Sequence, residues 1–375
     1  VKTHIESSVK RHLVADVPVG AFLSGGIDSS LVVSAMQKVS PTPVRTFTVG
    51  FGEQHKDERR YARSVADYLG TRHEEIVLDP QEVLSMVSLI PDIYDEPLAD
   101  PSVLPTALVC REAARKVKVV LSGDGGDEPF LGYGRYQRFS DYQRRVDLFP
   151  LKVRRNLLRA LNTLPGDWNL PWSGRRALAM AGSGSLAESY EASVRLFPPG
   201  SRRVATDLVD RRERPSEEGW SAAEFAGLYD VGRYMTDDVL VKVDRASMYH
   251  SLEVRVPLLD PDVVCAAWAT PPEMKMQGAI GKVILRRVLS EYLPKELFDR
   301  PKQGFGVPLD EWLRGPLRDW RNDLLRQLEA RSKGGFFLEG FEKACISRLD
   351  AGQSQYARPI WAMAVLQEWL RHWNL

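Results

Sequence analysis

The run Leu23-Ser24-Gly25-Gly26-Ile27-Asp28-Ser29-Ser30 has the residue types of an anion site. The apolar stretch Val17 to Leu23 before it reads as a buried strand, and Leu31 to Met36 after it as a helix. A glycine-rich turn from strand to helix leaves backbone N–H groups free at a helix N-terminus, where they can face an anion. Glycines let that backbone approach a phosphate closely, and Ser24, Ser29 and Ser30 add hydroxyl donors. Asp28 would repel a bare phosphate. It makes sense if it holds Mg²⁺, a hard cation bound through one or two carboxylates plus phosphate oxygens. A Walker loop needs a Lys after its glycines, and none follows here. The bland alternative is an ordinary Gly-Ser turn with an Asp cap.

Val117 to Leu121 reads as a second short buried strand, and it runs into Ser122-Gly123-Asp124-Gly125-Gly126-Asp127-Glu128, then Gly132-Tyr133. Three acidic groups in one glycine loop repel each other unless a cation or cationic partner sits among them.

The S-G-G-x-D-S form of the first loop resembles that of the N-type ATP pyrophosphatases, which cut ATP between the α and β phosphates and activate an acid as its adenylate. The second loop resembles a signature of the synthetase domain of the asparagine synthetase family. Three further pieces are similar to that family: Thr46 to Phe51, its strand beside the adenine; Asp244 to Met248 with Leu252 to Asp260, its helical-domain signature; and Arg300-Pro301-Lys302-Gln303-Gly304-Phe305, its late Lys loop. The matches run in the family's order from about Val17 to Pro308.

The resemblance implies ATP lying across Leu23, Ser24, Gly25, Gly26, Asp28, Ser29, Ser30, Val49, Ser122 and Gly123, with the adenine near Leu23 and Val49. It implies Mg²⁺-pyrophosphate on Asp28 and Asp127, for which two loop caps are the bland alternative. Asp124 stands where synthetases of the family often have Glu, a position linked there to adenylate formation and ammonia attack. Lys302 would neutralise charge on the leaving phosphates; otherwise it is a surface Lys. Asp238 lies near where related synthetases place an acidic group beside the adenylate, although the Asp237-Asp238 pair reads equally well as a helix N-cap. Ser102 and Thr106 lie where the family approaches its amino-acid substrate. Glu253 and Arg255 would lock Val256-Pro257 against the first domain.

The elements that must position these groups are legible too. Strand candidates Val17–Leu23, Val44–Gly50, His73–Leu78 and Val117–Leu121 alternate with helix candidates Ser29–Lys38, Asp57–Leu69, Pro80–Ile90 and Ser102–Lys116. Asp57 is a candidate N-cap, followed by an apolar stripe of Tyr61, Val65 and Leu69 or Tyr68. Such alternation predicts an α/β fold with a doubly wound parallel sheet. In the family's fold the first and fourth of these strands lie side by side, which would bring both glycine loops to one pocket. The expected organisation is an α/β core over residues 1–139 and a mostly helical region over 140–375 that completes the site.

Several segments invite other readings. Gly182 to Ala187 imitates a dinucleotide fingerprint, but it follows a helix-like stretch and reads as a loop. Arg211 to Glu218 is a mixed charge run, read as a solvated loop. Trp361, Trp369 and Trp373 have helical spacing and read as core.

The 375 residues, 43% hydrophobic and 27% charged, suit a globular protein with room for two domains. A formal net charge of +1 gives no electrostatic case for nucleic acid or an anionic membrane. Cys110, Cys265 and Cys345 are far apart, show no metal spacing and suggest a reducing, cytoplasmic setting. No signal peptide or membrane-spanning apolar run is evident.

The expected reaction is an AMP- and pyrophosphate-forming amide ligation of an aspartate-like carboxylate with ammonia, using ATP and Mg²⁺. The family's N-terminal glutaminase domain uses an N-terminal Cys. This chain opens at Val1 with no Cys before Cys110, so ammonia is expected from a removed domain, a separate glutaminase or solution. A homodimer is compatible with this reading. The alternatives are a β-lactam-forming or peptide-cyclising synthetase of the same fold, and a non-catalytic nucleotide-binding module.

Overall fold

The computed structural model describes residues 1–50, 58–77, 79–162, 172–197, 212–300, 307–331 and 340–375. Five parallel strands form its main sheet: β1 (Val19–Phe22), β2 (Arg45–Gly50), β3 (Arg72–Val77), β4 (Val119–Leu121) and β5 (Glu253–Arg255). Their spatial order is β3-β2-β1-β4-β5. Central parallel strands are covered on both faces and therefore read as continuous apolar runs. β4 is buried throughout, whereas the edge strand β3 alternates in exposure.

The sheet separates two cores. Ala21 and Leu121 face one, with Ile5, Leu31, Val32 and Val65 from the helices Lys2–His12, Ile27–Val39 and Arg59–Leu69. Phe47, Val49 and Val120 face the other, with Leu104, Leu108, Ile360 and Trp361 from the helices Val103–Ala114 and Ala357–His372. This two-faced covering is what makes the sheet doubly wound. Each fully buried Leu or Ile contributes roughly 1.5–3 kcal/mol relative to exposure.

The four expected strands and the helices between them form, with one shift. The stretch Pro80–Ile90 is interrupted, giving helices Pro80–Val87 and Ile90–Tyr94. The amphipathic stripe of Arg59–Leu69 uses Leu69, while Tyr68 is 56% exposed. Asp57 and Phe51 lie outside the described residues.

The fifth strand comes from late in the chain, inside the stretch expected to be mostly helical. Glu253 and Arg255 therefore do more than brace a turn: they extend the sheet. Arg255 pairs with Glu253 at 2.6 Å and donates to the His12 and Val14 carbonyls at 2.7 and 2.8 Å. That ties the new edge back to the first helix.

Beyond the sheet lies a helical layer with its own core of Tyr136, Phe139, Tyr190, Phe225 and Tyr229. Asp230 is its buried hub, accepting from Arg135 at 2.6 Å, Tyr136 at 2.8 Å and Tyr190 at 2.7 Å. Gly182 to Ala187 joins two helices, Trp172–Gly182 and Leu186–Val194, with Ser185 capping the second. Residues 212–217 are irregular; Arg211 lies outside the described residues. Trp361 is core and Trp369 packs against it, but Trp373 is 49% exposed because the helix ends before its turn reaches the core. No helix among the described residues is long and apolar enough to cross a membrane.

Candidate active site

Winding reverses between β1 and β4, which pair directly in parallel register. In open α/β sheets the crevice beyond such a switch point is where ligands bind. Both glycine loops leave the C-terminal ends of these two strands and touch. A Cβ on Gly123 would lie 2.6 Å from the Ser29 amide nitrogen and 2.9 Å from the Asp28 carbonyl carbon, so only Gly permits the approach. The first loop is held by its own hydroxyls. Ser29 Oγ accepts from the Ser24 N–H at 3.2 Å and lies 3.0 Å from Ser24 Oγ. Gly26 caps the Ile27–Val39 helix, and Asp28 sits in its first turn, where the helix dipole favours a carboxylate.

A cavity of about 1850 Å³ opens over the two loops. Leu23, Ser24, Gly26, Asp28, Ser29, Val49, Ser122, Gly123, Asp124, Asp127, Ser102, Thr106 and Asp238 all line it. Gly25 and Ser30 are not among its walls. Gly25 packs its backbone against Tyr61 and Ala62, and Ser30 is fully buried in the helix. Lys302 lies outside the described residues.

Lys282 is the residue that sequence reading missed. Its ammonium pairs with Asp28 Oδ2 and with Asp127 Oδ1, the latter at 2.7 Å. Burial alone would lower the Lys282 ammonium, but Asp127 and Asp28 outweigh that and hold its pKa above the usual lysine value. The route that brings it in is tertiary. A hairpin of β6 (Met276–Gln277) and β7 (Ile280–Gly281) lies against the second loop, and Gly281 makes room because a Cβ there would strike the Leu131 carbonyl. Lys282 then adopts φ +56° and donates its N–H to the Phe130 carbonyl at 3.2 Å. A lone Lys between Gly281 and the apolar residues Val283 to Leu285 was the only sequence signal.

The acidic groups differ by environment. Burial raises the Asp124 carboxyl, while a 2.6 Å hydrogen bond from Ser122 Oγ works the other way. Glu128, 1% exposed, is pushed up to about 7 by burial, reinforced by the neighbouring Asp127. Tyr133 donates to it at 3.2 Å. Asp237 and Asp238 do not open a helix. They lie in a π-wound stretch, Val231–Val239, continuous with helices on both sides. Such widened turns recur at functional sites, and this one turns Asp238 toward the cavity beside Asp100 and Lys242.

Glu128 carries a pH prediction. Its folded-state pKa exceeds its unfolded value, so the folded form keeps the proton longer. Its contribution is fully present below about pH 4.5 and is lost as pH rises toward 7. Glu128→Gln should therefore flatten the fall in stability between pH 5 and 8 by on the order of 3 kcal/mol. Urea melts at both pH values check it; parallel pH curves for the two proteins would refute it.

Asp28 and Asp127 converge on one point, since a single ammonium reaches both. No group of three or more His, Cys, Asp or Glu side chains suited to a metal occurs among the described residues. Two converging carboxylates beside a glycine turn at a helix N-terminus could hold Mg²⁺ if phosphate oxygens completed its shell.

This is a doubly wound α/β architecture with a cavity over its switch point. The asparagine synthase family model matches residues 1–371, and the chain belongs to that family. It is 34% identical, over 97% of its length, to a Mycobacterium tuberculosis protein provisionally named as a glutamine-hydrolysing asparagine synthetase, covering 56% of that protein. It is 30% identical, over 98% of its length, to glutamine-hydrolysing asparagine synthetase 1 of Bacillus subtilis, covering 58% of it. A more distant relative, amidase chry2 of Gibberella zeae, is 26% identical over 89% of the chain and is 56% covered. The chain thus spans a little over half the length of these relatives.

Proposed function

We propose that the chain is the synthetase part of an ATP-dependent, AMP-forming amide ligase. It would activate a carboxylic acid as an acyl-adenylate, with aspartate the first candidate, and pass the acyl group to ammonia. The observation that carries this reading is the convergence of Asp28, Asp127 and Lys282 where the two glycine loops meet.

ATP with Mg²⁺ would supply the adenylyl group and neutralise phosphate charge. The Gly26 turn and the hydroxyls of Ser24 and Ser29 would bind phosphate, with Leu23 and Val49 beside the adenine. Asp28 and Asp127 would hold the metal, freeing the Lys282 ammonium for the departing pyrophosphate. Lys302 is assigned the same kind of contact on sequence grounds alone. Asp124 and Asp238 would face the acyl group, with Ser102 and Thr106 beside the acid. A ligand pocket typically measures roughly 300–1,000 Å³. The cavity, at about 1850 Å³, has room for a nucleotide and a second substrate together.

The test is acid-dependent exchange of labelled pyrophosphate into ATP across a panel of carboxylic acids beginning with aspartate. Exchange with at least one acid, and AMP plus pyrophosphate as spent products, is expected. ADP as the main nucleotide product would overturn the reading.

A further inference from the structure

Asp100, Asp238 and Lys242 meet in the cavity wall, brought together from two segments. Asp100 lies just before the Val103–Ala114 helix, Asp238 in the π-wound stretch, and Lys242 one turn further along. Lys242 Nζ sits 2.5 Å from Asp100 Oδ2 but 4.0 Å from Asp238 Oδ1. The Ser102 N–H donates to the other Asp100 oxygen at 2.9 Å. Asp100 is thus bonded at both oxygens and takes most of the ammonium. Asp238 Oδ1 is buried without a hydrogen-bond partner among the described residues. Two carboxylates share one ammonium.

The groups facing Asp238 are Asp100, Lys242, Tyr234 and Arg135. Burial raises the Asp238 carboxyl and Asp100 raises it further, while Lys242 and Arg135 oppose them. Burial also works to raise Asp100, but Lys242 and the Ser102 N–H outweigh it and hold Asp100 ionised. The two carboxylates are therefore driven apart, the pattern that separates a fixed charge from a proton acceptor.

We infer that Asp100 and Lys242 are positioning residues that leave Asp238 ready to accept a proton from the attacking nitrogen. Asp238 removes one proton from an ammonium ion. The freed lone pair forms the C–N bond, and the acyl–oxygen bond to phosphate breaks with its electron pair leaving on AMP. The second surplus proton leaves the amide nitrogen to solvent. This rests on the amide-ligase reading above and adds to it which carboxylate handles the proton and what sets its affinity.

The experiment follows the Asp238 carboxyl by ¹³C NMR, its resonance identified by its loss in Asp238→Asn. It also measures the pH profile of product formation from L-aspartate and ammonium chloride. In Asp100→Asn the like charge is gone and Lys242 turns to Asp238, so the midpoint should fall. In Lys242→Gln the favourable charge is gone, so it should rise. The acidic limb of the pH profile should follow in the same two opposite directions, by about one pH unit each, a tenfold change in protonation equilibrium. Comparing variants cancels the titration of ammonium itself. Lys242→Arg should restore the native limb. Pyrophosphate exchange should survive in Asp100→Asn, so the Asp100 arm decides the matter even if Lys242→Gln does not fold. A midpoint or limb that stays put, with exchange intact, overturns this inference alone. A wild-type protein that gives no exchange overturns the amide-ligase reading and this inference with it.

Discussion

Asp28→Asn and Asp127→Asn are each expected to lower turnover by at least about 100-fold, and Lys282→Met by about 100- to 1,000-fold. These are the losses typical when one preorganised charge is removed from a water-poor site. The three side chains are pre-assembled: one ammonium already bridges both carboxylates, 17% and 19% exposed. Only the ammonium has to change partners when a metal takes the two carboxylates. The two kinds of variant separate by their dependence on magnesium. The Asp variants should need more Mg²⁺ and recover part of their activity at high concentration. Lys282→Met should not, because its defect lies on the departing pyrophosphate. Steady-state pyrophosphate release against Mg²⁺ concentration, on variants shown by circular dichroism to be folded, checks both. Near-normal turnover in any one of them would remove that residue from the proposed machinery.

Lys275→Met should lower unfolding stability by roughly 3–5 kcal/mol, the cost of leaving one partner of a buried ion pair uncompensated. Lys275 is 0% exposed, and its ammonium sits 3.0 Å from Glu224 Oε1 and 5.0 Å from the Trp268 ring centroid. Glu224 also closes a capping box with Ser221 at the start of the Ala222–Asp230 helix. The pair pins the β6–β7 hairpin to the helical layer, and that hairpin delivers Lys282 to the site. Lys275→Met with Glu224→Leu, which leaves no unpaired charge, should recover much of the loss. Denaturant unfolding of the single and double variants measures this. A loss below about 1 kcal/mol in the single variant would show that the pair does not hold the hairpin.

The sequence by itself determined what is local. Two apolar runs, each ending in a glycine loop and followed by helical or acidic residues, announced β1, β4 and the loops beyond them. Strand-to-helix alternation implied the parallel sheet, because periodicity and turn chemistry act over a few residues. Asp28, Asp124 and Asp127 were visible because glycines and acidic groups crowded into short turns have few structural explanations.

The tertiary structure decided everything that depends on distant segments meeting. β5 is three residues long, too short for any periodicity, and becomes a strand only because β4 offers it an edge. Lys282 looked like any lysine before an apolar helix until the hairpin placed it in the cavity at a left-handed backbone angle. Asp238 was legible as an acidic residue, and equally as a helix cap. Its environment comes from Asp100 in a distant loop and from the nine-residue π-wound stretch that places it on the cavity wall. Burial and charge proximity set what an ionisable group can do, and both are properties of the folded chain, not of any window along it.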